Sequence, residues 1–545
     1  MKIVWRCTGL MPLTMLGLLS VSVPTYAQSS GEREACEALI DTPNLTITHA
    51  RIVPAAGRTP AYCYLKGTVA PAISYHLQLP LPGNWNGRFV NWGDGGKDGD
   101  LDYAEHRLAQ GYAVANSNTG HDSGSEPGAS FGYNNRQAEI DFGYRAVHLT
   151  VNTAKSAIIA YYGRPAEYAY HEGCSTGGRQ GLMSAQRYPA DFDGIVAGAP
   201  VNHYQEHNAS TIWMLQRVYA KELAGNLAYD TDANGVPDSL KKLEMLADAV
   251  FEQCDDLDGI RDGVIDDPLQ CKFNPRSGLQ AQMCMNEVNG PSCFTSAQIE
   301  AIAEIYAGPH DASGRRIYKG KAFGSELEWD LYPYTGNDMQ PSTVSIDHLN
   351  YLFYETDPGV MAADPYDLSY APRKAGAAPE YAWWEFDIRD LNSGKADLMR
   401  SITDATDADL ERFIVHNGGK LILYHGWADG GPSAEVTIDY YKDVVQTTFA
   451  GSLAQARDHA RLFMIPGMYH CRRGPGPTEW DRLAPLVGWV EEGRAPDFLI
   501  GQHRTDGVVD NERRICAFPQ QAVYTGPAGG QNDPANWVEG NFSCR

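Results

Sequence analysis

The chain has 545 residues, a formal net charge of −24 at pH 7 and a hydrophobic fraction of 43%. This length is sufficient for a large buried core and for more than one lobe. The strong negative charge argues against nucleic acid and anionic lipid as partners, because both repel an acidic surface. We therefore expect no nucleic-acid partner and no membrane partner.

The first 27 residues have the pattern of a secretory signal peptide. Lys2 and Arg6 precede a mostly apolar stretch at residues 10–23, and Thr-Tyr-Ala at residues 25–27 offers a cleavage site before Gln28. The apolar stretch is shorter than the about 20 residues of a spanning helix, and an uncleaved anchor is the alternative. We expect a mature chain, secreted or periplasmic, that begins at Gln28.

Residues 28–85 alternate short apolar runs with Pro and Gly, which predicts a region rich in β-strands. A strand at residues 85–90 then leads into Gly-Asp-Gly-Gly at residues 93–96. A strand that ends in a glycine-rich loop can offer backbone N–H groups to an oxyanion, so Gly95 and Gly96 are candidate donors. Considered in isolation, this loop is better interpreted as a flexible turn.

A Gly-x-Ser-x-Gly pattern lies at residues 173–177, between strand formers at residues 167–172 and a helical pattern at residues 179–188. A strand-to-helix turn is the context of a nucleophile elbow, where small residues let the backbone turn sharply and expose the serine hydroxyl. Ser175 is therefore the candidate nucleophile, and the N–H of Thr176 is a candidate oxyanion donor. The alternative is a glycine-rich turn with a solvated serine.

Strands and helices alternate on both sides of a long interruption. Further strands are predicted at residues 112–115, 192–197, 420–424 and 460–465, and helices at residues 141–162, 238–251, 407–416, 440–449 and 481–492. The alternation predicts an α/β fold with a mostly parallel sheet covered on both faces. Residues 203–392 break it and predict an inserted lid. We expect the catalytic domain at residues 28–202 and 393–545.

Two polar residues follow the ends of the later strands. Asp429 closes His-Gly-Trp-Ala-Asp at residues 425–429, and His470 closes Pro-Gly-Met-Tyr-His at residues 466–470. Because parallel strands present their carboxyl ends at one edge of a sheet, Ser175, Asp429 and His470 can converge there, in the chain order of α/β-hydrolases. His470 would act as general base and acid, and Asp429 would orient its imidazole.

Ten cysteines remain once Cys7 leaves with the signal peptide, and an even number in an exported chain indicates disulfides. Proximity suggests the pairs Cys36–Cys63, Cys254–Cys271, Cys284–Cys293 and Cys516–Cys544. Cys174 and Cys471 are left, each beside a candidate catalytic residue. If Ser175 and His470 are within hydrogen-bond reach, these neighbours can approach the about 5.5 Å between α-carbons of a disulfide.

An acidic loop at residues 254–271 places carboxylates at alternating positions between two cysteines. Its glycines let the backbone curl so that carbonyls join the carboxylates, and hard oxygen ligands in a flexible loop suit Ca²⁺. The alternative is a solvated acidic turn. A second acidic segment, residues 230–238, has Lys241 where a closing acid should be, so we interpret it as a turn and helix N-cap, with a second ion as the alternative.

Aromatic residues of the predicted lid are candidates for the walls of a pocket for an aromatic group, although such residues are more often lid core. They are Tyr351, Phe353, Tyr354, Tyr381, Trp383, Trp384 and Phe386. Arg389 and Arg400 are candidates by location to bind a substrate carboxylate. The residues after Asp429 are Gly, Gly and Pro, so this loop offers no ring to clamp a substrate.

The motifs at Ser175, Asp429 and His470, with Cys174 and Cys471 beside them, resemble the tannase and feruloyl esterase family of serine esterases. The resemblance covers nearly the whole mature chain, including the glycine loop at residues 93–96 and the elbow at residues 173–181. It implies an α/β-hydrolase core with a large inserted lid and a disulfide between the two catalytic cysteines. It also implies small-molecule substrates: galloyl or feruloyl esters or, in one branch, the monoester of terephthalate with ethylene glycol.

Carried over position by position, the resemblance implies a structural Ca²⁺ in the lid. Its ligands would be Asp255, Asp258, the carbonyl of Ile260, Asp262 and the carbonyl of Val264. The lack of an aromatic residue after Asp429 weakens the hypothesis that the substrate is the terephthalate monoester. Two further alternatives stay open: an acyltransferase on the same triad, and a catalytically inactive binding protein stabilised by calcium.

Overall fold

The computed structural model describes residues 30–219, 226–231, 239, 241–329, 343–354, 383–392 and 394–545. The predicted signal peptide, most of residues 230–238, Tyr381 and the side chain of Trp384 lie outside the described part. Along the described chain, no helix combines the length and apolar character that crossing a bilayer requires.

The strands found in this part of the chain are β1 (Ile47–Val53), β2 (Tyr62–Val69), β3 (Ile73–Pro80), β4 (Arg88–Trp92), β5 (Ala113–Ser117), β6 (Tyr168–Cys174), β7 (Gly194–Gly198), β8 (Lys420–Gly426), β9 (Ala460–Ile465), β10 (Phe498–Thr505), β11 (Val508–Cys516), β12 (Ala522–Tyr524) and β13 (Phe542–Cys544). The α-helices are α1 (Ser30–Glu37), α2 (Glu105–Ala109), α3 (Arg136–Ile140), α4 (Ala146–Tyr162), α5 (Thr176–Arg187), α6 (Tyr204–Val218), α7 (Lys241–Cys254), α8 (Pro275–Gly278), α9 (Ser296–Ala307), α10 (Thr343–Asp347), α11 (Gly394–Thr403), α12 (Ala434–Thr448), α13 (Leu453–Arg457) and α14 (Ala484–Glu492).

Nine strands form one sheet in the order β1-β2-β3-β5-β4-β6-β7-β8-β9. In the entry region the pairings are antiparallel: β1 pairs with β2, β2 with β3, and β3 with β5. From β5 through β4, β6, β7 and β8 to β9, every pairing is parallel. The prediction of a mostly parallel sheet is confirmed, and the antiparallel strands are those of the β-rich entry region.

Both faces of the parallel region are buried, which explains why its strands are continuous apolar runs. Along β8, Leu421 and Leu423 join one hydrophobic core, whereas Ile422 and Tyr424 join the other. Successive side chains of a strand point to opposite faces, so a strand that is covered on both sides has no polar alternation. The carboxyl ends of β6, β8 and β9 therefore lie together at one edge of a buried sheet.

No strand of the sheet comes from the described residues between the end of β7 and the start of β8. Part of this stretch has a core of its own, in which Val250, Phe294 and Trp329 pack together. A second cluster contains Phe353, Trp383 and Phe386, three of the aromatic residues proposed as pocket walls. These three rings therefore form the interior of the inserted stretch. The domain boundaries at residues 202 and 393 stay a prediction.

Two predicted helices are shorter than expected. The α-helical part of the segment at residues 141–162 begins at Ala146, after a wider helical turn at Asp141–Arg145. Of residues 407–416, a single wide turn at Arg412–His416 forms. The carboxylate of Asp409 accepts the N–H of Glu411 at 3.1 Å and thereby satisfies the backbone locally. Such Asx turns compete with helix formation.

The β10–β11 hairpin and the short β12–β13 pair follow α14, and the sequence alternation did not predict them. Cys516 at the end of β11 is bonded to Cys544 at the end of β13. The structure also contains the pairs Cys36–Cys63, Cys254–Cys271 and Cys284–Cys293. The proximity argument therefore identified all four short-range partners.

Arg179 joins the helix after the elbow to the ends of two other segments. Its guanidinium is fully buried and donates to the carbonyls of Gly143 at 2.9 Å, Thr403 at 3.0 Å and Phe142 at 3.1 Å. Unpaired buried carbonyls are expensive, so these bonds hold α5 against the turn before α4 and against the end of α11.

We expect the substitution Arg179→Met to lower the free energy of unfolding by about 3 kcal/mol, because it removes the guanidinium donor from three buried carbonyls. Urea denaturation measures the change. Arg187→Met on the same helix is the control, since Arg187 is exposed and gives a single bond to a backbone carbonyl, that of Ser401, besides one to Sδ of Met183 on its own helix. An equal loss in the two variants would contradict the role assigned to Arg179.

Candidate active site

Ser175 lies between the last residue of β6 and the first residue of α5, and its backbone is strained. Its φ of 62° and ψ of −121° are values that non-glycine residues rarely adopt. The turn is held because the N–H of Ser175 donates to the carbonyl of Gly198 at 2.9 Å, while its own carbonyl accepts from the N–H of Arg179 at 3.0 Å. This is the sharp strand-to-helix turn that presents a serine hydroxyl above a sheet.

Glycines around Ser175 permit backbone contacts that a side chain would block. A Cβ at Gly178 would lie 2.4 Å from the carbonyl oxygen of Gly198, and one at Gly177 would lie 2.8 Å from the carbonyl carbon of Gly93. The elbow helix therefore packs directly on β7 and on the loop that follows β4. The sequence pattern at the elbow reflects these close approaches as well as the turn itself.

The glycine loop at residues 93–96 is bonded to the elbow at two points. The hydroxyl of Thr176 donates to the carbonyl of Gly96 at 2.7 Å, and the N–H of Asp94 donates to Gln180 at 3.2 Å. Gly96 and Thr176 line the same small pocket as Ser175, whereas Gly95 is not among the described residues of that lining. The geometry brings the proposed oxyanion donors at Gly96 and Thr176 next to the serine.

We call the space beside Ser175 the serine pocket. Its described lining consists of Gly96, Ser175, Thr176, Val201, Tyr204, His207, Asn208, Val344, Ser345, Gly431, Pro432 and His470. Ser175 and His470, 295 positions apart in sequence, thus face one pocket. The disulfide Cys174–Cys471, with 6.0 Å between the α-carbons, links the same two segments covalently.

Asp429 accepts the hydrogen bond that orients the imidazole of His470. Its Oδ2 accepts from Nδ1 of His470 at 2.8 Å and lies 3.1 Å from Nε2 of His425. Its Oδ1 accepts the N–H of Gly431 at 2.7 Å. The side chain of Asp429 has no exposed surface. A buried carboxylate needs hydrogen-bond donors on its oxygens, and these contacts supply them.

The electrostatics of the pair keep Asp429 ionised. Burial by itself raises the pKa of Asp429, but the charge of His470 and the hydrogen bonds from His425 and His470 bring that pKa well below its ordinary value. For His470, burial lowers the pKa, and the charge and hydrogen bond of Asp429 outweigh this, so that the pKa rises above its ordinary value. A base with a raised pKa accepts a proton more readily, which suits general base catalysis.

His425, which the sequence analysis gave no role, completes the surroundings of Asp429. Its Nε2 also lies 3.2 Å from the carbonyl of Pro432, and its Nδ1 lies 2.7 Å from the hydroxyl of Thr437. A nitrogen between two acceptors carries the proton, so Nε2 donates and Nδ1 accepts from Thr437. His425 precedes Asp429 by four positions, and this short spacing was the sequence signal that could have indicated their contact.

Neither arginine proposed to bind a carboxylate lines the serine pocket. Arg389 is exposed and paired with Asp387, and Arg400 is paired with Glu206 at 2.7 Å and with Asp397 at 2.7 Å. None of the aromatic lid candidates belongs to the described lining either. These residues were chosen by location in the sequence, which does not reveal that the two arginines are ion-paired and that the rings of Phe353, Trp383 and Phe386 are packed in the insert.

The proposed calcium loop is partly occupied by protein donors. Arg513, from β11, is bonded to Asp262 and, at 2.8 Å, to Asp266. Asp255 accepts the N–H of Gly263 at 3.0 Å and of Val264 at 3.2 Å. In the part of the chain that the structure describes, no group of three or more His, Cys, Asp or Glu side chains is arranged to hold a metal ion.

One oxygen of the loop is nevertheless unused. Oδ2 of Asp258 is buried without a hydrogen bond, and the nearest guanidinium nitrogen, of Arg513, is 4.0 Å away. Burial and the charge of Asp266 raise the pKa of Asp258 to about 8, and the charge of Arg513 offsets this only in part. The donor chemistry fits a hard cation such as Ca²⁺, and the ligand set, including the carbonyls of Ile260 and Val264, stays a prediction.

Comparisons with known proteins identify the family of the chain. The profile of the family "Tannase and feruloyl esterase" matches residues 60–536. The chain is 31% identical to mono(2-hydroxyethyl) terephthalate hydrolase of Piscinibacter sakaiensis, over 94% of this chain and 92% of that protein. It is 33% identical to a probable feruloyl esterase B-2 of Aspergillus flavus, over 79% of this chain and 78% of that protein.

Among solved structures, feruloyl esterase B from Aspergillus oryzae superposes with a TM-score of 0.77 and 26% identity, covering 94% of this chain and all of that chain. The prediction of an α/β-hydrolase fold is thereby confirmed. The family match spans most of the sequence and includes all the segments that form the serine pocket. The chain therefore belongs to the tannase and feruloyl esterase family.

Proposed function

We propose that this protein hydrolyses carboxylic esters of aromatic acids through an acyl-enzyme on Ser175. The observation that carries the proposal is the shared pocket of Ser175 and His470, with Nδ1 of His470 bonded to the buried Asp429 at 2.8 Å. Support comes from the relatives at 31% and 33% identity, whose names are those of ester hydrolases.

In the acylation step, Nε2 of His470 takes the hydroxyl proton of Ser175 while the serine oxygen attacks the ester carbonyl carbon. Asp429 balances the imidazolium that forms. The tetrahedral oxyanion accepts hydrogen bonds from the N–H groups of Thr176 and of the loop at Gly96. One such donor typically stabilises the transition state by about 3 kcal/mol. Collapse breaks the bond to the alcohol oxygen, which leaves with the proton held by His470.

Deacylation repeats this chemistry with water in place of serine. His470 takes a proton from water, and the hydroxide oxygen attacks the carbonyl of the acyl-enzyme. The second tetrahedral intermediate then releases the carboxylic acid and returns the proton to Ser175. Each residue thus acts twice, and the enzyme is regenerated without a cofactor in the bond-breaking steps.

The serine pocket favours an aromatic acid that carries hydrogen-bonding groups on its ring. Tyr204, His207 and Asn208 belong to its lining, and Nδ1 of His207 is buried without a partner. Burial and the charges of Lys321 and His470 lower the pKa of His207 well below its ordinary value. A neutral imidazole can donate to or accept from a phenolic hydroxyl, which supports galloyl or hydroxycinnamoyl esters.

A second candidate substrate is the monoester of terephthalate with ethylene glycol. It is favoured by the 31% identity with mono(2-hydroxyethyl) terephthalate hydrolase over nearly the whole chain. Against it, the described lining of the serine pocket contains no arginine or lysine to bind the free carboxylate of that substrate. The aspartate loop also offers no ring after Asp429, since Gly430, Gly431 and Pro432 follow.

The five disulfides support a location outside the cytosol, because such bonds persist in oxidising compartments. Together with the signal-peptide pattern of the first 27 residues, they favour a secreted or periplasmic enzyme. We also propose that Ca²⁺ braces the acidic loop, with Asp255, Asp258 and Asp262 as side-chain ligands. Its role there is structural, away from the serine pocket.

We expect Ser175→Ala to lower kcat for methyl gallate and methyl ferulate by at least about 10⁴-fold, since the nucleophile is removed. Ser184→Ala is the matched control: Ser184 lies buried on the same helix and donates to the carbonyl of Gln180 at 2.9 Å. Turnover by the purified Ser175→Ala protein comparable to that of the control would end the proposal. Including the terephthalate monoester in the same assay separates the two candidate substrates.

We expect the rate constant kcat/KM to fall as pH decreases, with an apparent pKa above the ordinary value of histidine. This follows because Asp429 raises the pKa of His470, and the protonated imidazole cannot act as a base. Asp429→Asn should lower kcat by about 10³- to 10⁴-fold and move the acidic limb to lower pH. A limb that stays in place in Asp429→Asn would show that His470 is not the titrating base.

We expect a chelator to lower the melting temperature of the protein and added Ca²⁺ to restore it, because a ligand of the folded state stabilises it by mass action. Scanning calorimetry in EDTA, with and without excess Ca²⁺, measures the shift. Asp258→Asn should reduce the response to Ca²⁺, because it removes the carboxylate with the unused oxygen. If Arg513 alone balances the loop, chelator will leave the melting temperature of the wild type unchanged.

A further inference from the structure

A carboxylate from the inserted stretch reaches the two loops that carry Asp429 and His470. Oε2 of Glu328 accepts the backbone N–H of His470 at 2.9 Å and lies 3.4 Å from the N–H of Gly430, which donates to it. Gly430 follows Asp429 directly, and the two loops come from the ends of different strands. One carboxylate oxygen therefore ties the residue after the triad aspartate to the triad histidine itself.

The backbone that carries Glu328 is firmly placed. The neighbouring Trp329 is fully buried in the core of the insert, and its indole N–H donates to Ser325 at 3.0 Å. Glu326, also buried, accepts from the hydroxyl of Tyr306 at 2.6 Å. Glu328 also packs tightly on the aspartate loop, since a Cβ at Gly430 would lie 2.1 Å from the carbonyl oxygen of Glu328.

The same stretch supplies a cation to the other side of the aspartate loop. Nζ of Lys321 is buried and donates to the carbonyls of Gly430, at 2.5 Å, and of Gly431. Glu328 thus accepts the N–H of Gly430, while Lys321 donates to the carbonyls of Gly430 and Gly431. Glu328 is therefore a second carboxylate near His470, in addition to Asp429.

We infer that Glu328 is a positioning residue for the triad, which fixes the backbone of His470 against the aspartate loop and adds negative charge beside the imidazole. The inference rests on the proposed function. Glu328 reaches His470 through its backbone, so it is not assigned a contact with substrate. The insert would thus contribute to the catalytic apparatus itself, in addition to covering the pocket.

The charged groups that face His470 predict the direction of the effect. Asp429 and Glu328 raise its pKa, and Lys321 lowers it, while His207 is a further titratable group nearby. Burial and the charge of Asp429 raise the pKa of Glu328 itself to about 7. Because the charge of Glu328 raises the pKa of His470, removing that charge should make His470 lose its proton at lower pH.

The experiment compares Glu328→Gln, Glu328→Ala and the matched control Glu326→Gln. Glu328→Gln keeps an acceptor oxygen and should shift the acidic limb of kcat/KM to lower pH by up to about one unit. Glu328→Ala removes the acceptor and should lower kcat by about 100-fold with KM nearly unchanged, because the histidine loop is no longer held in register. Glu326→Gln should lower the melting temperature and leave the pH profile as in the wild type.

The inference is overturned if both Glu328 variants, folded by circular dichroism, keep the wild-type pH profile and a kcat within twofold. It is also overturned if Glu326→Gln shifts the limb as much as Glu328→Gln, because the effect would then be general to this turn. Failure of the proposed function is distinguishable, since Ser175→Ala would then retain activity. Should Glu328→Ala fail to fold, Glu328→Gln still decides the question through the limb.

Discussion

The site depends on one buried charge, the carboxylate of Asp429. An anion without exposed surface is tolerated only when its oxygens are satisfied by hydrogen-bond donors. Asp429 meets this condition through His470, His425 and the N–H of Gly431. The same bonds that make the burial possible orient the imidazole, so the stability of the site and its chemistry have a common origin.

Holding that arrangement requires contacts between segments that are distant in the sequence. The strained backbone of Ser175 is kept by hydrogen bonds to β7 and α5, and glycines at the elbow let these elements approach closely. The disulfide Cys174–Cys471 joins the residue before the serine to the residue after the histidine. A covalent bond across 297 positions of sequence limits how far Ser175 and His470 can separate.

The inserted stretch and the C-terminal hairpin use buried charges in a similar way. Lys321 and Glu328 brace the loop after Asp429, and Arg513 gathers the carboxylates of the acidic loop. In both places a long side chain from one part of the chain satisfies groups on another part. Such pairs contribute little net stability when both partners are present, but losing one partner is costly, which makes them strong determinants of geometry.

The sequence by itself determined the parallel sheet, the elbow and the candidate triad, because buried strands, turn glycines and strand-end polar residues are local patterns. It also indicated the short-range disulfides, since nearby cysteines have few partners. Only the tertiary structure decided that Glu328 and Lys321 approach the loop after Asp429, that Arg513 enters the acidic loop, and that Arg400 is paired with Glu206. Partners of a buried charge are chosen by proximity in space, and residues hundreds of positions apart carry no local sign of that proximity.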